Sequence, residues 1–167
     1  MMEAILRDLQ QPEYLHTLIN PLPIYGLVVA FCGLAATLVF RIRNARVVAL
    51  SLIFICALSA WPAAHFGEEA YDRVLSMADE NGQAWLKEHN RRADELLWVF
   101  YVLAAVASAA IVAPKKWPRS STPLAVATLI CAAAALGGGG YIAHAGGKIR
   151  HREFRNASPP PAPSESS

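Results

Sequence analysis

Four long apolar runs divide the chain, at residues 24–40, 47–64, 96–113 and 124–143. Each is about the length that crosses the hydrocarbon core of a bilayer as a helix. Between the second and third runs lies the one long polar region, residues 65–95, whose apolar Tyr71, Val74 and Leu75 fall at helical spacing. Asp79-Glu80-Asn81-Gly82 reads there as a helix stop with Gly82 at the C′ position. From Gln83 the helical pattern resumes without proline or glycine to Ala113. The pattern therefore predicts an all-α protein: a four-helix transmembrane bundle with a helical hairpin extending outside the membrane. Each hairpin arm should project ten to fifteen residues, or roughly 15–22 Å at the helical rise.

Ahead of the first run, Ile5, Leu6 and Leu9 suggest a short amphipathic helix at the membrane interface. Asn20-Pro21-Leu22-Pro23 should end it and set the entry of the first span. Within that span Gly26, Ala30, Gly33 and Thr37 form a stripe of small residues, the kind of face that packs helices closely in lipid. Trp61-Pro62 closes the second span, with the tryptophan as an interfacial anchor. Residues 1–155 read as a single membrane domain. Residues 156–167, rich in proline and serine, are expected to be disordered.

Composition sharpens this picture in a few places. The hydrophobic fraction is 54% and mean hydropathy is +0.30, too high for an ordinary soluble domain of 167 residues. A net charge of +2, with no basic helix interleaved with aromatics, offers nothing to a nucleic acid. Cys32, Cys56 and Cys131 sit singly in three different spans and read as small apolar residues, not a disulfide framework or zinc site. The first span follows acidic and polar residues and lacks a basic leader, so it should remain as a span. The spans carry no charged residue, which removes the carriers of an ion pathway. No nucleophile elbow, P-loop, zincin or dinucleotide motif occurs, and neither catalytic residues nor a small-molecule substrate can be assigned.

Charge also suggests orientation. Arg41, Arg43 and Arg46 fill one short connection and Lys115, Lys116 and Arg119 the other, with no acid in either. The 65–95 hairpin carries eight acids against four bases. Positive-inside counting puts the short connections in the cytoplasm, and both termini and the hairpin outside. In a bacterium that side is the periplasm and the membrane is the inner one. The basic Lys148, Arg150, Arg152 and Arg155 argue the other way.

With this topology His16, His65, His89, His144 and His151 all fall on the outer side. His65 closes the second span and His144 the fourth, so the two share a depth at the outer interface; His89 and His151 lie about two turns higher. Two imidazoles from different helices can take both axial positions of a b-type haem. Gly137, Gly140, His144, Gly147 and His151 fall on one helical face, where small residues could make room for a porphyrin. The expected haem site is thus His65 and His144 with Gly137 and Gly140. A second reading is a divalent zinc, iron or manganese site from His65, Glu69, Asp72, His89 and His151. The plain alternative needs no cofactor: the glycines permit close packing and the acids make a solvated, salt-bridged face.

Four stretches also carry a likeness: Leu15-His-Thr-Leu-Ile-Asn-Pro-Leu-Pro23, Ala70-Tyr-Asp-Arg-Val74, Trp85-Leu-x-x-His89 and Ala145-Gly-Gly-Lys-Ile-Arg-His151. Together they resemble a family of bacterial four-span integral membrane proteins, over nearly the whole chain up to Phe154. More loosely, the chain is similar to a broader four-span domain of unknown function with His-Pro near its start and Gly-Gly before its tail. Members of that group sometimes occur beside Rieske or cytochrome components, which implies electron or haem handling. Thr17 stands where that group has proline. The likeness implies the fold and a bacterial membrane location, and carries over no catalytic residue.

The function expected from the sequence is a membrane electron-transfer or accessory subunit with a histidine-based haem site at the outer interface. The alternatives are a cofactor-free structural subunit and a divalent-metal-binding protein. Its partners would be the lipid bilayer and a membrane protein or a second copy of the chain.

Overall fold

A computed structural model describes residues 2–156. The expected disordered tail from residue 157 onward lies outside the described residues. Among them the chain is helical throughout: α1 Met2–Asp8, α2 Pro12–Ile19, α3 Leu27–Val39, α4 Arg43–Leu58, α5 Ala60–Met77, α6 Glu80–Val112 and α7 Ser121–Arg150. A π-turn over Leu22–Gly26 leads into α3, and short 3-10 turns connect α6 to α7 and follow α7. Four continuous helical stretches, Pro12–Val39, Arg43–Met77, Glu80–Lys115 and Pro118–Arg150, are long and apolar enough to cross a membrane.

Helices α3, α4, α6 and α7 pack in a ring, each against the next, with α7 closing on α3. Their shared core is built largely from alanine: Ala30, Ala49, Ala57, Ala104, Ala107, Ala132 and Ala135 are buried beside Leu27, Leu34, Leu50, Ile53 and Leu103. Small side chains let the helices approach closely, which is how association is driven when lipid removes the hydrophobic effect between spans. The face of α3 turned inward is Leu27, Ala30, Leu34 and Thr37. Gly33 of the expected stripe faces open space, whereas a Cβ at Gly26 would lie 2.9 Å from Cys56 Sγ. Large apolar residues such as Val29, Val48, Ile55, Val102 and Ile130 are exposed around the bundle, as lipid contact requires. Exposed Trp61 and Trp98 flank the hairpin end and Trp117 the other end, the arrangement of interfacial anchors.

Each turn has a local cause. Pro62 has no N–H for the Leu58 carbonyl, and the second stretch breaks at Ser59 between α4 and α5. At the end of α3, Arg41 adopts φ 57° and the Ile42 N–H reaches back to Thr37 O at 2.9 Å, a Schellman stop with arginine where glycine is usual. The hairpin turn is tighter than the sequence suggested. Helix α5 ends at Met77, and the Asp79 carboxylate caps α6 by accepting the Gly82 N–H at 2.8 Å. Gly82 is thus inside α6 and not a C′ residue. It is glycine because a Cβ there would sit 2.6 Å from Ile149 O. The segment after α7 folds onto the same turn: Arg155 donates to both Asp79 carboxylate oxygens, at 2.8 and 3.0 Å, and to the carbonyls of Lys148 and Ile149.

Candidate functional site

Helix α2 runs on through the π-turn into α3 and packs alongside α5, held by an ion pair of Arg73 with Glu13 at 2.7 Å. This carries His16 from its place ahead of the first span into the groove between α5 and α6. Its Nδ1 lies 2.7 Å from the carbonyl oxygen of Ala63. A carbonyl only accepts, so Nδ1 carries the proton and donates, leaving the Nε2 lone pair free. The ring lies against Gly67, whose absent Cβ would sit 3.0 Å from Nδ1.

His89 on α6 repeats this arrangement on α7. Its Nδ1 donates to Ile142 O at 3.0 Å, and its ring lies against Gly146, where a Cβ would again be 3.0 Å from Nδ1. In both cases the accepting carbonyl is four residues before the glycine. In an α-helix that carbonyl already accepts from the glycine N–H, and its second lone pair is open only because no side chain covers it. The two imidazoles lie edge-on to one another, with ring centres 6.4 Å apart and planes at 88°. Among the described residues neither Nε2 has a hydrogen-bond partner.

A cavity of about 550 Å³ adjoins the pair on the hairpin side, bounded by Ala64, Tyr71, Leu86, Asn90, Ala93 and Arg150. A smaller one of about 70 Å³ lies on the side of Pro23, Phe100 and Gly139. His16 and His89 line both. The larger volume falls within the range of cofactor sites.

The helices carrying His89 and its acceptor are clamped together around the site. Arg92 donates to Glu88 at 2.7 Å and to Tyr141 O at 2.7 Å, with its guanidinium 3.8 Å above the Tyr141 ring. Arg91 adds bonds to both Glu88 oxygens at 2.8 and 2.9 Å. One turn earlier, Lys148 of α7 places its ammonium 4.2 Å above the Trp85 ring. Glu88 and Arg92 are only 8% and 5% exposed, so their charges persist through mutual pairing.

The residues singled out from the sequence are placed differently. His65 is exposed, stacked on Trp61 with ring centres 5.7 Å apart and 3.6 Å from Glu69. His144 is exposed on α7. Among the described residues no hydrogen bond, ion pair or ring contact joins His65 to His144. Gly137 and Gly140 face open space, with no neighbour within 4 Å of a Cβ. The expected porphyrin lane therefore points outward, and the inward glycines of α7 are Gly139 and Gly146. The reason is rotation: residues two apart on a helix differ by about 200°, so His65 opposes Gly67 and His144 opposes Gly146. The proposed metal set is dispersed too. Asp72 is exposed, His89 is engaged with Ile142 and His151 pairs with Glu153 at 2.9 Å. Among the described residues no three His, Cys, Asp or Glu side chains are grouped to hold a metal ion.

Sequence reasoning put His16 at the interface and His89 in an upper layer, and so missed their pairing. The available signal was weak: glycine inside a helix is unfavourable by roughly 0.5–1 kcal/mol relative to alanine, which marks Gly67 and Gly146, but it marks Gly137 and Gly140 equally, and these face open space. In comparisons with family models, curated proteins and solved structures, none matches the chain.

Proposed function

We propose that the protein is a membrane electron-transfer or accessory subunit that binds a b-type haem between His16 and His89. The observation that carries this reading is the juxtaposed imidazole pair with both Nδ1 atoms anchored to backbone carbonyls. With ring centres 6.4 Å apart, His16 and His89 would be the residues that hold the iron, and the haem would supply one-electron chemistry there. Donation from Nδ1 to a backbone carbonyl is also the second-shell bond that orients a ligating histidine and raises the basicity of Nε2. A bare zinc or manganese ion would want three or four protein ligands, whereas a haem iron needs only two because the porphyrin supplies the rest. Two protein ligands would leave no open iron position, which favours electron transfer over oxygen chemistry.

Four apolar helices place the chain in a membrane. The basic short connections and acidic hairpin support a bacterial inner-membrane orientation with the histidine pair on the periplasmic side. The test is an absorption spectrum of detergent-purified protein from cells supplied with haem precursor, oxidised and then dithionite-reduced. A Soret band with sharp reduced α and β bands, near one haem per chain, is expected. His16→Ala and His89→Ala should abolish it, and His65→Ala and His144→Ala should leave it intact. A colourless wild-type protein, or a spectrum that survives loss of His16 and His89, would overturn the assignment and leave the pair as a structural clamp between α2, α5, α6 and α7.

A further inference from the structure

At the end of the bundle away from the hairpin, Arg46 of α4 is only 7% exposed. Its side chain reaches the start of α7, where Nη1 donates to Ser121 Oγ at 3.0 Å and Thr122 Oγ1 at 3.2 Å. Among the described residues its Nε is buried without a partner. An arginine is charged at any physiological pH, and a buried charge is costly unless an opposite charge meets it. Among the described residues no carboxylate pairs with Arg46. Nor can one come from nearby in the chain, which has no Asp or Glu between Glu13 and Glu68 or between Glu95 and Glu153.

The place Arg46 points to is itself electropositive. Helix α7 is 30 residues long, begins without a side-chain cap and has no acid in its first turn. Its dipole therefore favours an anion there, not a guanidinium. Lys115, Lys116 and Arg119 lie in the adjoining connection and Arg43 starts α4. Cation, helix start without a side-chain cap and basic loop converge, and among the described residues no carboxylate balances them.

We infer that this end of the bundle binds a phosphate group, that of an anionic lipid headgroup. A phosphate oxygen accepts from guanidinium, hydroxyl and helix N–H groups alike. The bilayer boundary supplies the source. Val47 and Val48 beside Arg46 are exposed apolar residues, and exposed Trp117 lies under Lys116, 5.0 Å from its ammonium. That combination marks the headgroup level.

The test uses the full chain in detergent, titrated with short-chain phosphatidylglycerol, short-chain phosphatidylcholine or inorganic phosphate, with thermal unfolding as readout. Phosphatidylglycerol should raise the midpoint by several degrees and phosphatidylcholine should not. Arg46→Gln should weaken the apparent affinity by about tenfold or more, as loss of a charge-assisted contact does, while Lys87→Gln on the hairpin leaves it unchanged. If Arg46→Gln fails to fold, the paired Ser121→Ala, Thr122→Val variant replaces it and should lose the same response. Equal responses to the two lipids, or a phosphatidylglycerol response that survives these substitutions, would overturn the site. A response to inorganic phosphate with none to phosphatidylglycerol would overturn the lipid assignment.

Discussion

The glycines offer the sharpest test of the histidine geometry, because α7 holds both kinds. At Gly146 an added Cβ would lie 3.0 Å from His89 Nδ1 and 3.1 Å from Cε1, tighter than ordinary van der Waals contact by a few tenths of an ångström. At Gly137 and Gly140 it would meet nothing within 4 Å. All three positions lie inside one regular helix, so alanine gains the same intrinsic preference at each, about 0.5–1 kcal/mol. Gly137→Ala and Gly140→Ala should therefore stabilise the protein by up to about 1 kcal/mol each. At Gly146 the gain is offset by displacing His89 from Ile142 O, a hydrogen bond worth about 0.5–1.5 kcal/mol net. Gly146→Ala should thus be close to neutral, and Gly146→Val, which overpacks the contact, should lose about 1–3 kcal/mol. Gly67→Val should behave likewise through His16. Unfolding in detergent followed by circular dichroism measures the stability order. The haem spectrum measures the site, which should be lost in the valine variants and kept in Gly137→Ala and Gly140→Ala. If Gly146→Val matched Gly140→Ala in both readouts, the close approach of His89 to α7 would be refuted.

Two further outcomes follow from the charged residues. Removing Arg92 leaves the buried Glu88 with Arg91 alone, so Arg92→Ala should cost about 3 kcal/mol, the lower end for a broken buried pair; the double variant Glu88→Gln, Arg92→Met should cost less, and a double-mutant cycle on chemical unfolding checks it. At the hairpin tip, the hydrogen bond from Arg155 holds the Asp79 carboxyl below the usual carboxylate range, helped by the Gly82 N–H. A carboxylate with a lowered folded-state pKa stabilises fully above its unfolded value and loses that contribution as pH falls through the folded one. Proteolysis after α7 should therefore accelerate several-fold as pH drops below about 4, and Arg155→Ala should show the fast rate already at neutral pH. A rate independent of pH in the wild type would refute the clasp.

Much of this protein follows from its sequence directly. The four spans, the projecting hairpin and the tryptophan anchors need only local information: run length, helical spacing and the cost of leaving charge or backbone in lipid. Every apolar run became a helix, because inside a bilayer a helix satisfies its own backbone. The depth of the histidines was legible only in part: a count of residues times a fixed rise puts His89 two turns above His144, whereas His89 meets Ile142 and Gly146 at the level of His144, because the hairpin turn is tighter than the count assumed. Rotation was not legible. Whether His65 or Gly67 turns inward depends on how α5 seats against its neighbours, and a shift of two residues reverses the answer. Nor could the sequence show that the helix runs on through Asn20–Pro23, where the prolines read as a stop: the backbone stays helical there through a π-turn, and packing on α5 with the Glu13–Arg73 pair holds α2 in line with α3. The same holds for Arg46. Its charge reads as one more basic residue in a short loop, and its burial against the uncapped start of α7 exists only once α4 and α7 are brought to the same end of the bundle.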